Sequence, residues 1–373
     1  MGTAFNDQTQ RCEYKNNVVC RPGRPSFTRG TGTPQVPPKP PPLPSPSPPL
    51  SPSNNTNTNT FVGYFPSWAM PWASSPQTTL LANLAPHVTT VILSFLRPDP
   101  STYPGGVTFT GTGLDFSSDP IAVRDAIKLL KQRNPGTKVL VAVGGATYTN
   151  FASLNATAIA NFVNAFGLDG VDFDYEPLNA NCKLRNGSGI QCATDEEYIT
   201  SITALRAALP RPTNTLTAAV WSIGAYGQGQ WTHALPQNLP ATGVAVNMLS
   251  TVGSKALDAV HVMAYDAGDG GSTGYDPKQA FLAYASLVPP QQLYLGMQVA
   301  PEGWGAHALT GQEVDDLTRF VKDRHGGGMM LWNLLRPSSS NGTYPGAEEI
   351  GRRVCRGWGW GGRCDFSLLN CLT

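Results

Sequence analysis

The run Leu168-Asp169-Gly170-Val171-Asp172-Phe173-Asp174-Tyr175-Glu176-Pro177 interleaves carboxylates with large apolar residues at a strict period of two, a pattern that an extended strand sorts onto opposite faces. Val171, Phe173 and Tyr175 then form an apolar face. Asp172, Asp174 and Glu176 line the other, with successive Cα atoms about 6–7 Å apart. A strand apolar enough to be buried cannot hold three bare anions in a row, so at least one of them is expected to keep a proton near neutral pH. Pro177 ends the pairing just after Glu176, and parallel α/β folds place their chemistry at that carboxyl end. An acidic edge strand is the alternative, but an edge has little use for so apolar a second face.

After Thr60, short apolar runs alternate with helical segments. Strands are predicted at Phe61–Trp68, Thr89–Leu96, Lys138–Gly144, Gly170–Glu176, Thr215–Trp221, Ala259–Tyr265, Gln292–Val299 and Gly328–Leu334. Helix starts are marked by Asp119-Pro120, Asp276-Pro277 and the capping-box pairs Thr194…Glu197 and Thr310…Glu313. Eight such alternations predict an α/β chain folded as a (β/α)8 TIM barrel. A doubly wound open sheet is less suited, since the first strand runs through Val62-Gly63-Tyr64-Phe65 into Pro66 with no Gly-rich phosphate turn. The strand ends carry Tyr64 and Trp68, Phe95, Gly144-Gly145, the acid row, Trp221, Met263 with Tyr265 and Asp266, Gln298 with Trp304, and Trp332. Flat aromatic faces beside carboxylates suit pyranose rings, and a sugar cleft is expected there.

These residues resemble the chitinases of glycoside hydrolase family 18. The family's fourth-strand pattern D-x-x-D-x-D-x-E is present as Asp169, Asp172, Asp174 and Glu176. Its third-strand double glycine is matched by Gly144-Gly145, its sixth-strand M-x-Y-D by Met263-Ala264-Tyr265-Asp266, and its eighth-strand tryptophan by Trp332. The resemblance covers residues 61–353 and implies hydrolysis of β-1,4 bonds between N-acetylglucosamine units with retention, the substrate supplying the nucleophile. On that basis Glu176 is the acid and later the base, Asp174 orients the acetamido N–H, Asp172 tunes Asp174, and Tyr265 donates to the acetamido oxygen. Asp266 is expected near the cleaved bond and Trp332 as the floor. Tyr64, Trp68, Trp221, Met263, Gln298, Gly144 and Gly145 complete the expected substrate-binding set. Asp169, off the acid face by parity, reads as a structural hydrogen-bonder. The family often has serine two residues before the double glycine, where this chain has Ala142, so Tyr64 is expected to serve Asp172 instead.

Lys and Arg number 26 against 25 Asp and Glu, which leaves no basic field for nucleic acid, and no apolar run approaches a membrane span. No cofactor or metal is expected, and the chain is expected to act as a monomer on chitin or chitooligosaccharides. The opening sequence is polar and shows no secretory signal, consistent with removal of one or with a fragment. Seven cysteines and the sequons at Asn54, Asn155, Asn186 and Asn341 point to an extracellular protein. Cys182 is expected to pair with Cys192 across a flexible loop, and Cys12 with Cys20, leaving one of Cys355, Cys364 and Cys371 without a local partner. Eleven of the nineteen residues from Pro34 to Pro52 are proline, which predicts a polyproline spacer on the order of 60 Å long. The expected organisation is a Cys-containing segment at 1–30, a linker at 31–60, the barrel at 61–353 and a Cys/Trp/Gly-rich tail at 354–373. Between the seventh and eighth strands one helix, Gln312–Asp323, accounts for the sequence and leaves no room for an extra lobe, so the groove is expected to be open and suited to cleavage within a chain.

Three other readings compete. An endo-β-N-acetylglucosaminidase acting on N-glycans would carry the same acids. A chitin-binding lectin would be expected to lack Glu176. A metal-dependent phosphoryl-transfer site would need Lys and Arg neighbours that the strand ends do not offer.

Overall fold

The computed structural model describes residues 60–367 apart from 186–188, 238, 269, 270, 272, 305, 306, 340, 341 and 366, together with the antiparallel strands Thr3–Asn6 and Arg11–Tyr14. The proline-rich spacer, the Cys12–Cys20 pair, Cys371 and the sequon asparagines Asn54, Asn186 and Asn341 lie outside the described side chains.

Eight strands, β1 (Thr60–Pro66), β2 (Thr90–Leu96), β3 (Lys138–Gly144), β4 (Gly170–Asp174), β5 (Thr215–Trp221), β6 (Ala259–Met263), β7 (Leu293–Gln298) and β8 (Gly328–Trp332), close into a barrel in chain order. Every neighbouring pair is parallel. The expected strands are all present, but β4 stops at Asp174 and β6 at Met263, which puts Glu176, Tyr265 and Asp266 on the turns just above the barrel.

Strand parity builds two cores. Val62, Tyr64, Ile92, Leu140, Ala142, Ala219, Met263 and Met330 fill the barrel. Val91, Val139, Val171, Phe173, Leu216, Val260 and Leu295 point outward to the helical layer. Each Val, Leu, Ile or Phe fully buried in this outer core contributes about 1.5–3 kcal/mol. The helices are α1 (Pro120–Arg133), α2 (Ala156–Phe166), α3 (Asp195–Ala208), α4 (Pro277–Ala285), α5 (Gly311–Asp323) and α6 (Ala347–Trp358). Asp119 and Asp276 cap α1 and α4, each followed by Pro at the first turn, and Thr310 with Glu313 forms the expected capping box of α5.

Two expectations fail. Thr194 precedes α3 without a side-chain cap, and the Glu197 carboxylate accepts the Tyr175 hydroxyl at 2.5 Å. The alternation also lacks full helices at two crossings: β1 reaches β2 through 3-10 turns at Ser67–Ala69, Pro76–Thr78 and Leu81–Asn83, and β5 reaches β6 through short segments between Val246 and Ala256. Pro66, Pro71, Pro76 and Pro86 remove the donors that a continuous helix would need at the first crossing.

Cys182 pairs with Cys192, closing the hairpin of Lys183–Arg185 and Gly189–Gln191 that follows β4, and Cys355 pairs with Cys364 at the end of α6. Asp169 is structural, as its parity suggests: Oδ2 accepts the Val139 amide and meets Lys131 Nζ, both at 2.7 Å.

Gly170, which begins β4, has φ near +145°, and a Cβ there would lie 1.8 Å from the Thr215 carbonyl oxygen. Gly170→Ala is therefore expected to cost on the order of 2 kcal/mol. Chemical denaturation of the purified variant reads this, and an unchanged midpoint would show that β4 tolerates the shift.

Candidate active site

β4 aims Asp172 and Asp174 into the barrel, where they are 0% and 3% exposed. Asp172 sits opposite Ala142 of β3 and Thr217 of β5. Its Oδ2 accepts the Tyr64 hydroxyl at 2.5 Å, and its Oδ1 accepts the Thr217 hydroxyl at 2.5 Å and meets His261 Nδ1 at 2.9 Å. Burial pushes this carboxyl up, but the His261 charge and hydrogen bond, with the bonds from Thr217 and Tyr64, hold it below the usual range.

One step along, Asp174 faces Gly144 and Ala219, which offer space but no side-chain donors, and its Oδ1 has no partner. Burial, then the charges of Glu176 and Asp172, push it well above the usual carboxylate range. Asp174 is the member of the row pushed furthest toward its neutral form. Glu176, two residues further and partly exposed, is also raised, first by burial; the Trp221 indole N–H, 3.0 Å from Oε2, and an Ala146 backbone bond oppose the shift, while Asp266 adds to it. Along the row, Asp172 is thus held low by its donors, while Asp174 and the cleft-facing Glu176 are both raised.

Gly144 and Gly145 make the close approach of β3 to β4 possible. Both have positive φ, and a Cβ at Gly144 would lie 2.3 Å from the Asp174 carbonyl, while one at Gly145 would meet the Phe95 ring at 2.9 Å. The Gly145 amide donates to that same Asp174 carbonyl at 2.9 Å. Beside them Trp332 stacks on Phe95 at 5.6 Å, meets Tyr64 edge-on at 5.5 Å and lies 6.4 Å from Trp68, which is itself 52% exposed. This makes an aromatic floor next to the acids.

Tyr265 is buried, and burial with the charges of Asp174, Glu176 and Asp266 keeps its hydroxyl well above the ordinary tyrosine range, so it remains a donor. Met263 lies beneath it in the barrel core. Asp266, with φ +52°, ties two loops together. Its Oδ1 accepts the Trp304 amide at 2.8 Å, and its own amide donates to Glu302 Oε2 at 2.8 Å. With the Gln298 amide nitrogen turned toward it, the orientation that satisfies both groups, Gln298 donates to the Asp266 carboxylate at 3.0 and 3.2 Å.

The expected set converges at one end of the barrel, with two changes of partner. Trp221 holds Glu176 through its indole N–H, and Gln298 is engaged with Asp266. Sequence reasoning missed Thr217 and His261, although both share strand parity with expected site residues, Trp221 and Met263 respectively. Among the described residues no group of His, Cys, Asp and Glu is placed to hold a metal ion.

A family model described as glycosyl hydrolases family 18 matches residues 60–315, the larger part of the chain and all of the acid row. The chain belongs to this family. It is 24% identical over 242 residues to Chitinase A1 of Niallia circulans, a stretch that covers 55% of this chain and 32% of that protein's length. Among solved structures, a family 18 chitinase from Pseudoalteromonas aurantia superposes with a TM-score of 0.57 at 22% identity, covering 80% of this chain and 100% of that one. A chitinase-like agglutinin from Robinia pseudoacacia superposes with a TM-score of 0.52 at 16% identity, covering 80% and 99%. At these identities the two superpositions speak to the family 18 fold.

The loop that carries Trp304 is braced by His307, whose Nδ1 meets Glu302 at 2.8 Å and whose Nε2 meets Glu313 at 2.9 Å. The Glu302 bond above all, and then Glu313, raise this imidazole from about 6.5 to about 9 against the opposing effect of burial. A raised cationic pKa gives stability that is full below the unfolded value and is lost as pH rises through the folded one. The melting temperature is expected to fall between about pH 6.5 and about pH 9 from this cause, and His307→Gln is expected to flatten that limb. Parallel slopes in thermal melts of the two proteins across this range would refute the assignment.

Proposed function

We propose that this family 18 protein is a chitinase that cleaves β-1,4 bonds between N-acetylglucosamine units within chitin chains, by a substrate-assisted retaining mechanism. The observation that carries the reading is the acid row itself, which sets the donor-poor carboxyl of Asp174, pushed toward its neutral form, between Asp172, held low by its donors, and Glu176, raised by burial. Acids projecting from one strand end lie on the same side of a bound sugar, so none is placed to attack the face opposite the leaving group.

In the first step the glycosidic oxygen takes the proton from Glu176 as the bond to the anomeric carbon breaks, and the C2 acetamido oxygen closes on that carbon. Asp174 accepts the acetamido N–H through the carbonyl oxygen of its carboxyl group and so orients the nucleophile, while Tyr265 donates to the acetamido oxygen. In the second step Glu176 takes a proton from water, which opens the cyclic intermediate from the other face, so two inversions give net retention. Trp332, Phe95 and Trp68 present aromatic faces for the sugar rings, and Asp266 lies beside the reacting bond.

The single helix α5 between β7 and β8 supports an open groove and attack within the polymer. An aromatic rim and a proline-rich spacer favour a polymer over an N-glycan, and Glu176 favours hydrolysis over a lectin role. Secretion, monomeric action and use of residues 1–60 as an arm and spacer complete the proposal.

Glu176→Gln is expected to lower turnover at least 10²-fold, the low end of the worth of a general acid, while oligosaccharide affinity is kept. A variant retaining a tenth of the wild-type rate would remove Glu176 as the acid. Mass spectrometry of products from chitin oligomers and from an N-glycosylated protein separates the two endo-hydrolase readings. Fully deacetylated chitosan is expected to resist cleavage, since it lacks the acetamido nucleophile; its efficient hydrolysis would require a protein nucleophile instead.

A further inference from the structure

Asp172 is fully buried, and its surroundings can be enumerated strand by strand. β1 gives the Tyr64 hydroxyl, β3 the methyl of Ala142, β5 the Thr217 hydroxyl and β6 the His261 imidazole, with Asp174 and Glu176 on its own chain segment and the Tyr265 phenol above. Of these groups, His261 alone can carry a positive charge. Two neutral hydroxyls facing a desolvated carboxylate, next to a second carboxyl, would leave the Asp172 charge without a counter-ion. Ala142, directly opposite Asp172, offers no donor.

We infer that His261 is a positioning residue for the acid row: as the buried ion-pair partner of Asp172 it fills the place left by Ala142 and thereby assigns the row's proton to Asp174. The inference rests on the proposed reading of the row as the reacting group. His261 is 1% exposed and packs edge-on against Tyr294 of β7, with ring centroids 5.1 Å apart. Its other side faces a cavity of about 860 Å³ at the amino-terminal end of the barrel, which it lines with Thr217. The charged groups facing it from there are Arg133, Lys138, Asp258 and Arg363. His261 therefore lies below the carboxylates, opposite the cleft, and a bound sugar does not touch it.

This placement separates a positioning role from a binding one. Without the ion pair, Asp172 takes up a proton at higher pH, and Asp172 and Asp174 then compete for it. An opposite charge at this range shifts a carboxyl by about 1–3 units. The acidic limb of the kcat–pH profile of His261→Asn on soluble chitin oligomers is accordingly expected to move up by about one unit or more, with KM within about twofold of wild type. Thr217→Val, which removes a neutral donor, is expected to move the limb less. Adding Ala142→Ser to His261→Asn restores a donor opposite Asp172 and is expected to bring the limb part of the way back.

An acidic limb left in place by His261→Asn, with kcat reduced equally at all pH values, would overturn the inference, as would a KM change as large as that in kcat. Should His261→Asn not fold, the double variant His261→Gln with Ala142→Ser is measured in its place; an acidic limb identical to wild type there also overturns it. An active Glu176→Gln would remove the underlying reading of the site. An inactive Glu176→Gln together with an unmoved His261→Asn profile would remove this inference alone.

Discussion

The interior of a closed parallel barrel is packed with side chains and holds little solvent to screen a charge, so an ionised carboxylate survives there only with donors on both oxygens. Asp172 meets that condition through Tyr64, Thr217 and His261, contributed by three different strands. Its neighbours are constrained in turn. Asp174, flanked by Gly144 and Ala219, finds no comparable donors and is pushed toward its neutral form, and Glu176, above the last paired residue of β4, is raised by burial against the opposing bond from Trp221. The difference between the two buried acids is thus one of donors and not of depth, with Asp172 favoured as the anion because it is the better solvated by protein.

The same strand explains why the surroundings are built from opposites in size. Two glycines at the end of β3 bring its backbone onto β4 and let the Phe95 ring reach the cleft, while Trp332, Trp68 and Trp221 supply bulk around the space so created. On the outer face Phe173 and Tyr175 lock β4 against α3 through contacts with Tyr198, at ring separations of 5.9 and 4.2 Å. Precision at the acids depends on this packing, since a strand free to slide by one residue would exchange its two faces.

Much of this was legible in the sequence because strand parity is a one-dimensional property. The period of two in residues 170–176 gives the direction of each acid, the eight apolar runs give the barrel, and Ala142 pointed correctly to Tyr64 as an alternative partner of Asp172. Partnerships across strands were harder to read. His261 stands among Val260, Val262 and Met263, where a lone imidazole reads as a core residue, and Thr217 looks like any β-branched strand residue. Their role follows from register, which sets Thr217 beside Asp172 and Ala219 beside His261, and no local pattern encodes it. Trp221 was read as a sugar platform because its ring is the visible part of its chemistry, whereas the direction of its N–H depends on how the β5 end meets the turn after β4. The missing helices have a local cause at the first crossing, in its prolines, which the regular alternation elsewhere masks.

Asp266 is a crossing point of two loops, since its carboxylate holds the Trp304 amide and Gln298 while its backbone amide is held by Glu302. The turns after β6 and β7 are therefore mechanically one unit. Exchanging either loop between relatives, in nature or by design, would carry across half of a joint, and the grafted piece would need its matching counterpart to take the same shape. A change of the cleft at this corner would have to be made in pairs, and the hairpin after β4, closed by Cys182–Cys192, is likewise bound to its neighbour, since Ile190 leaves room for no side chain at Gly227 or Gly243.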